Sequence, residues 1–214
     1  SRQCSPRCRR PQGVCPFFFS SFFVSGRRIS VFGARVSHGS SSHLARTTVS
    51  NPTSEMWEKM TAQAFISGYH WQFLAQPHGL PEYMIGLDSE RYLRHTLNSW
   101  AKIKNSFSTP AMTEYLRCFS KASVIASCCA DYRAGATSDW ENDKLDKQMG
   151  NKIGCPVMTL WGQREGRNNL DNISIWNDWC DQPASGHSVQ CGHFLPEENP
   201  TATLKAIIPF LERI

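Results

Sequence analysis

A loop histidine near the C-terminus is the residue of this sequence best suited to chemistry. His193 lies in the segment CGHFLPEE, residues 191–198, between a short apolar stretch and a closing helical pattern. The glycine before it loosens the loop, and a histidine in such an apolar segment has no good packing role. An imidazole changes its charge near neutral pH and can take a proton from water. The sequence therefore predicts that His193 is a general base.

The elements that would position this histidine are those of a parallel sheet. Residues 155–162, CPVMTLWG, form an apolar run closed by a glycine, which predicts a buried parallel strand. A second short strand is predicted around residues 187–190, and a final helix over residues 199–213. Strand, helix, strand, histidine loop and helix together form the ending of a doubly wound α/β sheet.

A long helical block precedes these strands. Residues 55–148 contain helical periodicity and no segment that predicts a strand. The first helix begins after Ser54, which is a typical N-cap residue, and carries Trp57 on its apolar face. Further helices are predicted over residues 89–104 and 109–134. An all-helical block in front of a terminal sheet segment is predicted to be a lid inserted into that sheet.

The first 54 residues differ from the rest in charge. They contain eight arginines and no lysine or acid, whereas residues 55–214 contain 15 basic and 18 acidic groups, so the net charge of +5 comes from this leader. It can be an organellar transit peptide or a basic arm attracted to nucleic acid. A degenerate, mistranslated or disordered segment is the favoured interpretation, because residues 16–23, PFFFSSFF, have neither helical nor alternating period.

The nine cysteines predict free thiols, because their spacing is not that of a zinc site or a disulfide framework. Free thiols fit a reducing compartment, and the predicted location is cytoplasmic, with organellar targeting as the alternative. No run reaches the roughly 18 apolar residues of a membrane span. No metal or other cofactor is predicted.

Five motifs in a fixed order resemble one family. They match the haloacetate dehalogenases, the fluoroacetate dehalogenase group of the α/β-hydrolase superfamily, over about residues 52–214, with a trace at 33–38. The motifs are PTSEMW at 52–57, HWQFLAQP at 70–77, DYRAGA at 131–136, PVMTLWG at 156–162 and GHFLPEE at 192–198. The resemblance implies a helical lid at 55–148 and, at 149–214, the C-terminal core of an α/β-hydrolase with parallel strands 7 and 8. At most a degraded sixth strand would remain of the first half of the sheet.

The resemblance also implies a reaction and a binding site. An Asp carboxylate attacks the carbon that bears the halogen, and water activated by His193 then hydrolyses the resulting ester. The implied substrate is a small halogenated carboxylate; no nucleic acid or membrane is implied as a partner, and a homodimer would be compatible with the family. The other matching residues are a halide pocket of His70, Trp71 and Tyr132, a pocket wall at Trp100, and Arg35 as a ligand of the substrate carboxylate.

The leader departs from the family where two carboxylates are required. Counting back from residues 33–38 places Val31 at the position of the family's nucleophile, and Phe32 at the position of an arginine that follows it in the family. Counting back from Pro52 places Val49 at the acid that orients the histidine. Glu165, four positions after Trp161, is a candidate substitute acid, although a solvated surface charge is the simpler interpretation.

Three hypotheses therefore stay open. The chain can be a haloacid hydrolase whose first half is incomplete here, and which is inactive as written. It can instead be a non-catalytic or truncated α/β-hydrolase remnant, or a fragment of an epoxide-hydrolase-like enzyme. The pair His70-Trp71 favours the halide over the epoxide, for which paired lid tyrosines would be expected.

Overall fold

The computed structural model describes residues 20–24, 27–31, 46–48, 57–58, 61–163 and 171–213. Its strands form two sheets. An antiparallel hairpin contains β1 (Ser20–Val24) and β2 (Arg27–Val31), although the sequence there has no alternating period. A parallel sheet has the order β3-β4-β5 and contains β3 (Arg46–Thr48), β4 (Val157–Gly162) and β5 (Ser185–Val189).

The described helices fall into two groups. Those of the helical block are α1 (Ala62–Ser67), α2 (Tyr69–Leu74), α3 (Leu80–Leu87), α4 (Ser89–Trp100), α5 (Thr109–Phe119), α6 (Ala122–Ala136) and α7 (Ser138–Met149). Those that accompany the parallel sheet are α8 (Asn172–Asn177), α9 (Leu195–Glu198) and α10 (Pro200–Glu212). None of the helices described is both long and apolar enough to cross a bilayer.

Strand β4 is the centre of the parallel sheet and explains the apolar run in the sequence. Its first four residues are buried, as expected for a strand with parallel neighbours on both sides. Successive side chains point to opposite faces. Val157 packs with Trp176 of α8, whereas Met158 and Leu160 pack in a cluster with Phe210 of α10. The predicted strands and the closing helix are confirmed within two residues.

The helical block has a core of its own, built mainly around α6. This helix contributes more buried residues than any other described helix, and Leu74, Ile85, Leu93, Leu97 and Phe119 from the neighbouring helices join them. Helix α4 begins at an N-cap, where the Asp88 side chain accepts a hydrogen bond from the backbone N–H of Arg91 at 2.9 Å.

Two predicted helices have different bounds in the structure. The helix predicted over residues 109–134 is two helices, α5 and α6, separated at Ser120 and Lys121. On one continuous helix Phe119 and Val124 would be about 140° apart, whereas here both side chains reach one core from separate helices. The helix predicted to end at residue 104 ends at Trp100, because Ala101 is extended, with φ −71° and ψ 140°.

Candidate active site

His193 lies in the loop that connects β5 to α9, as predicted, and its side chain is half-buried. Its backbone N–H donates a hydrogen bond to the carbonyl oxygen of Trp100, at 3.1 Å. Its ring lies edge-on to the Trp100 indole, with 5.1 Å between ring centroids and 74° between ring planes. The last residue of α4 therefore contacts both the backbone and the imidazole of the predicted base.

The structure brings the predicted pocket residues together around Trp100. His70 and Trp71 are neighbours in α2, and both rings contact Tyr132 of α6, at centroid distances of 5.8 and 5.2 Å. The His70 ring is 4.4 Å from the Trp100 ring, which in turn contacts His193. We call this set, His70, Trp71, Trp100, Tyr132 and His193, the aromatic cluster. It joins the helical block to the histidine loop.

The aromatic cluster is rich in hydrogen-bond donors. Tyr132 is 9% exposed, and burial raises the pKa of its hydroxyl far above the ordinary value of 10.0, so the group remains a hydrogen-bond donor even in alkaline solution. An indole N–H and an imidazole N–H are donors as well. Because electrostatic attraction is stronger where water is excluded, such a set can stabilise a small anion.

Glu198 organises the histidine loop, and the sequence reasoning missed it. Its carboxylate is 7% exposed and accepts four backbone N–H groups. Two come from the neighbours of His193: Gly192, at 2.8 Å to Oε2, and Phe194, at 2.9 Å to Oε1. Two come from the segment after α4: Lys102, at 2.7 Å, and Ile103, at 2.9 Å, both to Oε2. The sequence signal was weak, since two glutamates in the first turn of a helix usually indicate a solvated, dipole-favoured position.

The sequence suggested that Gly192 loosens the loop. In the structure this glycine is instead required by close packing. An added Cβ would lie 2.4 Å from the backbone nitrogen of Lys102 and 2.8 Å from the Trp100 carbonyl oxygen. Gly162, at the end of β4, faces the same loop from the other side, and its added Cβ would lie 1.7 Å from the Gly192 carbonyl oxygen. Backbone thus meets backbone on both sides of the histidine loop.

Side chains strengthen the same junction. The Tyr115 hydroxyl of α5 donates to Glu197 Oε1 at 2.7 Å, and Lys102 Nζ donates to the Gln163 carbonyl oxygen at 3.1 Å. The Phe107 ring lies 5.1 Å from the Phe194 ring, nearly perpendicular to it. The helical block is therefore bonded to the loop by hydrogen bonds and ring contacts together.

Several predicted residues lie outside the described part of the chain: Arg35, Val49 and Glu165. Their roles stay predictions. Val31 is described as the last residue of β2, where its Cα partner is Ser20 of β1. Among the residues that the structure describes, no group of three or more His, Cys, Asp or Glu is arranged to hold a metal ion.

The chain is similar to several curated proteins, while no protein-family model matches the sequence. Over 163 residues, 75% of this chain, it is 29% identical to a fluoroacetate dehalogenase from Burkholderia sp., of which it covers 52%. Over 130 residues, 59% of this chain, it is 32% identical to a soluble epoxide hydrolase from Corynebacterium sp. (strain C12), of which it covers 43%. The chain spans about half the length of these curated relatives.

Solved structures extend the comparison to the fold. A proposed α/β-hydrolase from Nostoc sp. PCC 7120 superposes with a TM-score of 0.73 and 42% identity, over 79% of this chain and 58% of that one. The described part of this chain therefore has the fold of the C-terminal part of an α/β-hydrolase. A proposed epoxide hydrolase from Pseudomonas aeruginosa superposes with a TM-score of 0.74 and 32% identity, over 79% of this chain and 57% of that one.

These similarities confirm two predictions about this chain. The predicted fold class is correct, and so is the resemblance to haloacetate dehalogenases. The names of the two curated relatives specify small-molecule substrates, fluoroacetate and an epoxide. The roles of individual site residues stay predictions.

Proposed function

We propose that this segment belongs to a hydrolase that cleaves the carbon–halogen bond of short haloacids. The aromatic cluster is the observation that supports the proposal best, because His70, Trp71 and Tyr132 contact one another and reach His193 through Trp100. A leaving halide needs donors on one side of the reacting carbon, and hydrolysis of the ester needs a base on the other. The cluster offers both kinds of group within one connected set.

The proposed reaction has two steps. A carboxylate oxygen forms a bond to the carbon, the carbon–halogen bond breaks, and the halide leaves with both bonding electrons toward the donors of His70, Trp71 and Tyr132. Water then attacks the ester carbonyl carbon, and the His193 imidazole accepts the proton. The bond between the carbonyl carbon and the alkoxide oxygen then breaks, the imidazolium returns its proton to the alkoxide to give a hydroxy acid, and the carboxyl group loses its proton to solvent and becomes a carboxylate again.

The nucleophile is the part of this proposal that the sequence does not supply. Val31 stands at its position by count, and a valine side chain has no lone pair with which to attack carbon. We therefore expect the chain as written to release no fluoride from fluoroacetate above a buffer blank, as measured with a fluoride electrode. Release that disappears in the His193→Gln variant would contradict this expectation.

Halide binding tests the proposed pocket without any turnover. Chloride should bind to the full chain and broaden the chloride NMR line, with ionic strength held constant by sulfate. Removing one donor in Tyr132→Phe should weaken the affinity by roughly 10- to 150-fold, because a hydrogen bond to a charged group contributes about 1.5–3 kcal/mol. The matched control is Tyr83→Phe, whose ring is 69% exposed on α3. Equal broadening in Tyr132→Phe and the wild type would refute the pocket.

Epoxide hydrolysis is the second candidate, and the similarity to the Corynebacterium epoxide hydrolase favours it. An epoxide oxygen needs donors as it opens. Tyr132 is one, and Tyr69, whose ring also contacts His70 at 6.1 Å, is a second. Propylene oxide binding that is lost in Tyr69→Phe, together with no chloride binding, would favour this candidate over the haloacid hydrolase.

A further inference from the structure

We propose that Glu198 is a positioning residue for His193 and that it couples the histidine loop to the end of α4; the catalytic meaning of this role rests on the proposed function of His193 as the base. Glu198 acts through the backbone amides that its carboxylate holds, on both sides of the junction between the histidine loop and the helical block.

The amides flanking His193 are held by one carboxylate. Gly192 and Phe194 donate to its two oxygens at 2.8 and 2.9 Å, and the N–H of His193 between them donates to the Trp100 carbonyl oxygen at 3.1 Å. Three consecutive peptide units are therefore fixed. The Cα–Cβ bond of His193 then has a defined direction, which limits where the imidazole can lie.

The other two amides on Glu198 belong to the helical block. Lys102 and Ile103 donate to Oε2 at 2.7 and 2.9 Å, 96 and 95 residues away in sequence. A buried carboxylate with four short N–H partners is well satisfied, and hydrogen bonds to a charged acceptor are stronger than neutral ones. Because Oε2 is shared by Gly192, Lys102 and Ile103, the loop and the end of α4 cannot shift independently without losing hydrogen bonds to it.

A position-specific test separates this role from a general contribution to stability. We would compare Glu198→Gln with Glu198→Asp in the full chain, and use Glu197→Gln as the matched control, since a glutamine keeps a side-chain oxygen that can accept from the Tyr115 hydroxyl. The readouts are amide hydrogen exchange by NMR and the imidazole C–H signal of His193, assigned by its loss in His193→Gln. The Trp100 ring, 5.1 Å away, makes that signal sensitive to ring orientation.

In Glu198→Gln one acceptor oxygen becomes an NH₂ donor that faces N–H donors. We expect protection of the amides of Gly192, Phe194, Lys102 and Ile103 to fall at least tenfold and the His193 signal to shift or broaden. Glu198→Asp keeps both acceptor oxygens on a shorter side chain, so both effects should be smaller than in Glu198→Gln. Glu197→Gln should leave the amide protection and the His193 signal as they are in the wild type. A lower melting temperature with an unchanged His193 signal would assign Glu198 a structural role only and overturn the proposal.

The wild-type chain keeps the proposal testable if Glu198→Gln does not fold. Because the four amides share one acceptor group, they should exchange through a common opening, with equal free energies as denaturant is added. Separate openings for the loop and for the segment after α4 would overturn it. None of these measurements uses a halide or a substrate, so a chain that passes them and binds no chloride would contradict the proposed function alone.

Discussion

Replacing Gly162 with alanine should destabilise the chain by more than about 4 kcal/mol, a loss that only severe steric or cavity effects reach. The new Cβ would lie 1.7 Å from the carbonyl oxygen of Gly192 and 2.6 Å from its carbonyl carbon. Both atoms are backbone, so no side-chain rotation can relieve the overlap. Either β4 or the histidine loop must move, and the loop is also held by Glu198 and by the carbonyl of Trp100.

The measurement is thermal and urea unfolding followed by circular dichroism, with Gly86→Ala as the matched control. An added Cβ at Gly86 meets nothing within 4 Å, and the residue lies inside α3. Alanine should therefore stabilise the chain there by about 0.5–1 kcal/mol, through the lower backbone entropy of its unfolded state. For Gly162→Ala the melting temperature should fall by roughly 10 °C or more. A fall similar in size to an ordinary surface substitution would contradict the close approach of β4 and the loop.

The stability of the chain should fall steeply as the pH rises from about 9 toward 11. Burial raises the pKa of the Cys129 thiol to about 11, and the charge of Glu82 adds to the rise. Burial and the charge of Glu198 raise the pKa of Cys191 to about 11 as well. Above the ordinary thiol pKa of 9.0 the unfolded chain loses these protons while the folded chain keeps them, so each pH unit favours unfolding. The loss should be of the order of 2–3 kcal/mol per thiol.

Urea unfolding at several pH values between 8 and 10.5 measures how steeply the free energy of unfolding falls with pH. In the double variant Cys129→Ala, Cys191→Ala, the decrease between pH 8.5 and 10 should be much smaller, although the variant is less stable at neutral pH. Burial also raises the pKa of Tyr92 and Tyr132 far above the ordinary value, so these side chains add to the loss at the upper end of the range. A slope that is the same with and without the two thiols would contradict the assignment.

The sheet segment was predictable because its burial leaves a direct record in the sequence. A strand with parallel neighbours on both sides buries both faces, so β4 appears as a continuous apolar run. The final helix was equally clear, since Asn199 is a good N-cap and its side chain accepts from the Ala202 N–H at 3.2 Å. The break between α5 and α6 was not predictable from period alone. It depends on the shared core that Phe119 and Val124 reach from different helices.

The site shows the same division between local and tertiary information. His193 was predicted from its loop, and His70, Trp71, Trp100 and Tyr132 came from the family resemblance, since their helical spacing alone would equally fit a plain core. Glu198 left no comparable trace, because its partners are backbone amides. Backbone donors are present at almost every residue, so no residue type marks the segment after α4 as its partner.

The hydrogen bonds at the end of α4 also determine where this protein can be cut and recombined. Consider a chimaera whose helical block, up to and including residue 103, comes from another protein. Its backbone would no longer be certain to place the Trp100 carbonyl against His193, or the amides of Lys102 and Ile103 against Glu198. Engineers who graft a different helical block onto this sheet should therefore keep residues 100–103 of the recipient. By its hydrogen bonds this short stretch is part of the sheet segment, although in the sequence it follows directly on the helix α4.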